Sequence, residues 1–473
     1  MALLDDNRLL PHDVAGRSIA RRLYDSVKEA PIISPHGHVD PAWFAKDEAF
    51  SNPTELFITP DHYVLRMLVS QGISLDQLGI RRKDGSARDT AVNPRAIWHI
   101  FAAHYHLFRA TPSRMWLDHV FETLFELDLV LCAANADDYY DRISECLTQD
   151  AFRPRALFDR FNIEAIATTE SALDPLASHR ALALSDWDGR VITTYRPDAI
   201  INPNGADNGA FAAAIEALGE ITGLPTTTWD GYLDAHRDRR AFFRSFGATA
   251  TDHGHPTAFT TVLDKADAAA LFNKALHGRI NLQEAEQFRG HMLVEMARMS
   301  CEDGMVMQLH AGSYRNHAAG IFENFGTDMG FDIPMRTDFV NGLNPLLTEV
   351  GQHPGLRMIL FTLDETTLSR ELAPLAGAYP SVLLGPAWWF FDSPDGMRRY
   401  RDLTTETAGF YNTTGFNDDT RAFCSIPARH DVSRRVDAAY LASLVLSGRL
   451  NEQDAAEVAQ DLAYGLAKKA YKL

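Results

Sequence analysis

Two histidines one residue apart, His36-Gly37-His38, follow directly on the apolar run Pro31-Ile32-Ile33-Ser34. In a strand, residues i and i+2 point the same way, so both imidazoles are able to address one ion. Neutral imidazole combined with carboxylate is a donor set for zinc and similar borderline divalent metals. The same spacing occurs at His104-Tyr105-His106 and His253-Gly254-His255, and context separates the copies. The 104/106 pair lies in an aromatic-rich helical stretch, where i and i+2 diverge by about 200°. It is poorly placed to share a metal. The 253/255 pair does end a β-rich run, but the pair at 36/38 is the expected ligand pair, and His255 is not expected to join it.

Two histidines need a carboxylate beside them. Asp252, Asp364, Asp418 and Asp419 all stand at the ends of β-rich runs, and Asn417-Asp418-Asp419-Thr420-Arg421 sets two acids next to a cation. The residues alone favour Asp419 over Asp418 only slightly. Other strand-end groups are Arg196, Asp252, His253, His310 with Arg315 shortly after it, and the pair Trp388-Trp389. Each also has a plain structural reading: a helix cap for Arg196, a satisfied core histidine for His310, packing for Trp388. Their shared position at the ends of separate strands is the stronger indication.

The elements that would position these groups recur along the chain. Short apolar runs at 30–38, 163–170, 191–198, 247–255, 305–312, 357–364, 381–389 and 413–419 each end in a polar cluster, with helical periodicity between most of them. Strands alternating with helices predict a parallel sheet. Eight such units predict an α/β fold of the (β/α)8-barrel kind, with a doubly wound sheet as the alternative. Closure of a barrel makes 36/38 neighbours of 418/419, although nearly the whole sequence separates them. Residues 41–160 hold several amphipathic helical stretches and read as a helical insertion after the first strand, forming a wall or lid. The last part of the chain reads as two helices packed on the barrel, and 1–473 as a single barrel domain containing the insertion.

Composition limits the function. The chain has 473 residues, 46% of them hydrophobic, and a formal net charge of −18. That charge argues against nucleic acid as a partner, and no apolar run approaches the ~20 residues of a membrane helix. The acidic N-terminal stretch lacks the pattern of an export signal, so a cytoplasmic location is expected. Cys132, Cys146, Cys301 and Cys424 are scattered without metal spacing, and no disulfide is expected. An anionic ligand would face a repulsive field, so a metal and local arginines must overcome it. Arg196, Arg315 and Arg421 fit that need and point to a carboxylate or polyhydroxylated ligand.

Several motifs occur in an order that resembles one family. They are PHGHVDP at 35–41, DHYVLR at 61–66, YRPD at 195–198, DHG at 252–254, VMQLHAGSYRN at 306–316, WWFFD-x-x-DGM at 388–397 and DDTRAF…RHDVSRR at 418–435. Together they resemble the uronate isomerases, also called glucuronate isomerases, of the amidohydrolase superfamily. The resemblance implies one divalent metal, zinc by donor type, on His36, His38 and Asp419, with Asp419 also acting as base. It implies that Arg421 binds substrate hydroxyls and that Tyr63 stands near the C1 carbonyl. Arg196, His310, Arg315, Trp388, Asp252 and His253 become substrate-pocket positions. The implied reaction is interconversion of aldose and ketose uronates, D-glucuronate with D-fructuronate and D-galacturonate with D-tagaturonate, through a cis-enediol. A small-molecule uronate is the expected partner, in a homo-oligomeric enzyme. One departure is Glu170, where the family pattern leads one to expect aspartate. The alternative function is a mononuclear metal-dependent amidohydrolase or lactonase of the same superfamily. A non-catalytic sugar-acid binding protein would be expected to lack the histidine pair or Asp419, and both are present.

Overall fold

Seven of the apolar runs form strands: β1 (Ile32–Ser34), β2 (Ile163–Ser171), β3 (Val191–Arg196), β4 (Ala250–His255), β5 (Val306–Ala311), β6 (Met358–Phe361) and β7 (Val382–Leu384). They are seen in a computed structural model that describes residues 3–86, 93–203 and 209–473. The strands pair in sequence order as one parallel seven-stranded sheet. Ile166 opposes Val191, Ala250 opposes Val306, and Met307 and Val382 flank Met358. The sheet curls as a (β/α)8 barrel does, with helices outside.

The eighth run, 413–419, is a correction to the expectation of eight strands. It makes one parallel bridge, Thr413 to Leu384, and then leaves extended geometry. Gly415 has φ 73° and Asp419 φ 36°, and two left-handed residues so close together break a strand. The segment still fills the eighth place. On one side Leu384 N donates to Asn412 O (2.9 Å) and Thr414 N to Leu384 O (3.0 Å). On the other, His38 N donates to Thr420 O (3.0 Å) and Ser34 Oγ to Asp418 Oδ1 (3.0 Å). Residues from the two ends of the chain therefore meet by hydrogen bonding across the seam.

The barrel interior is closed at its lower end by the C-terminal helix Leu466–Tyr471. Tyr471 and Ala470 pack with Val306, Ile359 and Phe361, while Ala467 packs with Ile33 and Ala165. Tyr471 is fully buried, and its hydroxyl donates to Gln308 Oε1 (2.9 Å), so its one polar atom is satisfied. Burying a large apolar side chain of this kind contributes roughly 1.5–3 kcal/mol.

Between β1 and β2 the chain runs through helices that include Pro41–Lys46, Pro53–Phe57, His62–Val69, Pro94–His104, Pro112–Phe125 and Ala136–Leu147. Several start the same way. Asp40, Asn52, Asn93 and Thr111 each cap a helix whose first residue is proline. Proline at that position loses no hydrogen bond, and its fixed φ suits the helix. Their apolar faces enclose an aromatic core of Trp98, Phe101, Tyr105, Phe121 and Tyr139. That packing makes the segment a firm platform for what it presents to the barrel mouth.

Candidate active site

His36 and His38 sit just past the end of β1. The His36 ring is held from behind, its Nδ1 lying 3.4 Å from both Thr169 Oγ1 and Gln308 Nε2. That leaves Nε2 facing Asp419 Oδ1 at 3.7 Å, with His38 Nε2 3.4 Å from the same oxygen. Trp388 Nε1 donates to the other carboxylate oxygen, Oδ2, over 2.8 Å. Asp419 Oδ1 is buried without a hydrogen-bond partner, a condition that costs about 1–3 kcal/mol unless something binds there.

The electrostatics agree with a cation at this point. Burial pushes His36 down and His38 down to about 3, so both are neutral and have lone pairs to give. Burial alone would raise Asp419, but His36, His38 and His310 hold it below the usual carboxylate range. An ionised carboxylate and two neutral imidazoles fit one divalent ion.

Asp418, left open by the sequence, points elsewhere. Its Oδ1 accepts from Ser34 Oγ and its Oδ2 lies 3.0 Å from His430 Nε2. Asp364 is spent on its own turn, accepting from Thr366 N and Oγ1.

A second group of possible ligands, His36, Asp252 and His310, overlaps the first. Asp252 is already satisfied, with Oδ1 2.6 Å from His310 Nδ1 and Oδ2 3.1 Å from Arg196 Nη1. Burial would raise its carboxyl, yet Arg196, His310 and His36 bring it well below the usual range. A dication there would sit against the Arg196 guanidinium, so the 36/38/419 group is the better cation site. His310 Nε2 remains buried without a partner, available to a ligand in the cavity.

These groups line one cavity of about 300 Å³, the lower end of the range for small-molecule sites. His36, His38, Tyr63, Arg196, Asp252, His310, Arg315, Trp388, Asp419 and Arg421 all reach it. Tyr63 comes from helix His62–Val69, whose cap Asp61 accepts from Tyr63 N (2.8 Å) and Val64 N (3.3 Å).

His253 does not reach the cavity. Strand alternation turns it to the opposite face of β4 from Asp252, where its Nε2 lies 3.0 Å from Thr251 Oγ1. Of the His-Gly-His at 253–255, it is the glycine that serves the site. A side chain on Gly254 would lie 2.4 Å from Arg196 Nη2, so the missing Cβ lets the arginine cross β4. Asp198, His253 and His255 also bring ligand atoms together. Asp198, however, is occupied by Arg196 Nε and Gly254 N.

Several lining residues were not singled out from sequence: Asp61, His62, Asn316, Asp328, Asp332 and Arg429. Most stand inside the motifs quoted above, next to a residue that was. Asp328 and Asp332 carried no such signal. They pair with Arg421 (3.1 Å) and Arg315 (2.7 Å). Each cavity arginine thus has an acid beside it, which tempers the local positive charge that the sequence led one to expect.

The comparisons with known proteins bear on this geometry. The family model described as glucuronate isomerase matches residues 2–471. The chain belongs to the glucuronate isomerase family. A protein named uronate isomerase from Xanthomonas axonopodis pv. citri (strain 306) is 60% identical over 470 residues, covering 99% of this chain and 98% of the relative. One of the same name from Rhizobium meliloti (strain 1021) is 58% identical over 471 residues, covering 100% and 99%. The crystal structure of glucuronate isomerase from Caulobacter crescentus superposes with TM-score 0.97 at 55% identity, covering 100% of this chain and 98% of that one. In this glucuronate isomerase family member the motif residues His36, His38, Tyr63, His310, Trp388 and Arg421, distant in sequence, converge on one cavity. Among the described residues, no helix is long and apolar enough to cross a membrane.

Proposed function

We propose that this enzyme interconverts aldose and ketose uronates, D-glucuronate with D-fructuronate and D-galacturonate with D-tagaturonate, by proton transfer through a cis-enediol. The observation that carries the reading is the unpartnered Asp419 Oδ1 facing two neutral imidazoles in a cavity that also holds Tyr63 and Arg421.

Moving the carbonyl from C1 to C2 removes a proton from C2 and returns one to C1, while O2 loses a proton and O1 gains one. No electron acceptor is needed. Asp419 takes the C2 proton and delivers it to C1, its carboxylate held in one orientation by the Trp388 indole. Tyr63 gives its proton to O1 and takes up the one that leaves O2, and the Arg421 guanidinium offsets negative charge on the enediolate oxygens. Arg196, His310, Asp252 and Arg315 orient hydroxyls from the other side. His36, His38 and Asp419 would hold a divalent ion, zinc by the preference of that donor set, which would supply positive charge for a sugar acid.

The test is incubation of the purified enzyme with D-glucuronate and, separately, D-galacturonate, following ketose formation. Ketose from at least one of them is expected. Absence of ketose from both, with the protein folded and metal bound, overturns the reading.

A further inference from the structure

Two of the motif residues have no role in the scheme above. Asp392 closes the WWFFD run and Arg429 opens RHDVSRR, and the fold joins them. Arg429 is 2% exposed in helix Ile426–Leu446. Its Nη1 donates to Asp392 Oδ2 (2.9 Å) and to Asp418 O (3.3 Å), and its Nε donates to Ser425 Oγ (3.1 Å). All three acceptors belong to the barrel side of the site.

The flat face of the same guanidinium turns to the helical segment before β2. It stacks 3.5 Å from the Trp116 ring centre and lies 5.8 Å from that of Tyr63. Tyr63 meets Trp116 edge-on at 6.0 Å. Arg429 therefore links the tyrosine's platform to the barrel, beside apolar contacts such as Phe44 on Phe423, and it reaches the cavity wall itself.

A buried cation is costly unless it is paired, and truncating one partner of such a pair is severe. Here the pairing is incomplete. Asp392 Oδ1 has no hydrogen-bond partner, and burial lifts the Asp392 carboxyl to about 7 against the pull of Arg429. A purely structural pair would be better served by full satisfaction of both groups. Burial also raises the Tyr63 phenol, and Arg429 is the foremost influence opposing that rise.

We propose that Arg429, clamped by Asp392, is a positioning residue for Tyr63. It holds the phenol against Trp116 and keeps positive charge over its ring when a proton leaves the hydroxyl. The proposal rests on the reading of Tyr63 as the group that exchanges the O1 proton.

The experiment is a double-mutant cycle on the metal-loaded enzyme with D-glucuronate, using Y63F, R429M and Y63F/R429M, with R429K as the conservative variant. R429M is expected to lower kcat by roughly 30–100-fold with KM within about threefold, R429K to recover most of the loss, and R429M to cost under about threefold in the Y63F background. Equal losses in both backgrounds, or a loss confined to KM, overturn the proposal. If Y63F alone keeps wild-type kcat, the reading of Tyr63 fails instead, and the two failures are told apart. D392N keeps the cation and covers the case in which R429M does not fold. It is expected to lower kcat about tenfold with Tyr63 present and not at all in the Y63F background. The same drop in both backgrounds overturns the proposal.

Discussion

The Trp388 indole donates to Asp419 Oδ2 across 2.8 Å, and this one bond decides which carboxylate oxygen faces His36 and His38. A hydrogen bond to a charged group contributes about 1.5–3 kcal/mol. Replacing Trp388 by Phe keeps an aromatic ring and removes the donor. W388F is expected to lower kcat by roughly tenfold or more, as measured by steady-state turnover of D-glucuronate. An unchanged kcat would show that the carboxylate needs no such support.

Asp419→Asn keeps the shape of the side chain and removes its charge and basicity. Turnover is expected to fall by roughly 10²–10⁴-fold, with the protein still folded by circular dichroism. Substrate deuterated at C2 should react more slowly in the wild type and exchange label with solvent. Near wild-type turnover in the variant would remove Asp419 as the base.

Metal content gives an independent check. Elemental analysis of the purified enzyme should find about one divalent ion per chain, lost from His38→Ala on dialysis against a chelator under conditions that spare the wild type. Two tightly bound ions per chain would count against the 36/38/419 site as the sole centre. They would bring back the overlapping group of His36, Asp252 and His310.

Glu170 gives a stability change with a defined sign. It is buried at the end of β2, accepts a hydrogen bond from Thr193 Oγ1, and burial raises its carboxyl to about 7. Unfolded glutamate titrates near ~4.3, so between that pH and about 7 the folded chain holds a proton that the unfolded chain releases. The stability supplied by the neutral carboxyl is present in full below the unfolded value and is lost as pH rises through the folded one. The loss from this group is on the order of 3 kcal/mol. Glu170→Gln cannot ionise, so its melting temperature should drop less than that of the wild type between pH 5 and pH 8. Identical drops in both proteins would mean that Glu170 is ionised in the folded state.

Much of the barrel was readable because each strand is a short β-rich run with its polar cluster at one end, a local pattern. The histidine pair at 36/38 was readable from its place directly after a β-rich run, although both residues stand past the end of β1 and not within it. The eighth position was harder. Residues 413–419 look like a strand in composition, but Gly415 and Asp419 take left-handed backbone angles that only the closed seam imposes. Tyr63 entered through motif resemblance alone, because nothing about a tyrosine on an amphipathic helix says that it faces a cavity. His253 was misplaced for a related reason. Side-chain facing on β4 alternates by residue, and a run of Asp-His-Gly-His does not say which set turns inward.

By itself the sequence determined the chemistry on offer: two imidazoles, a surplus of strand-end carboxylates, and arginines in an acidic chain. It also determined the alternation of strands and helices that puts such groups on one face of a barrel, because both properties depend on residues near each other in the chain. Tertiary structure decided which groups act together. The seam between β1 and 412–420 turned Asp418 towards Ser34 and His430 and left Asp419 facing the histidines. Packing of the helical segment brought Tyr63 and Trp116 to Arg429. These are choices among nearly equivalent side chains, settled by contacts between segments hundreds of residues apart, and no local pattern encodes them.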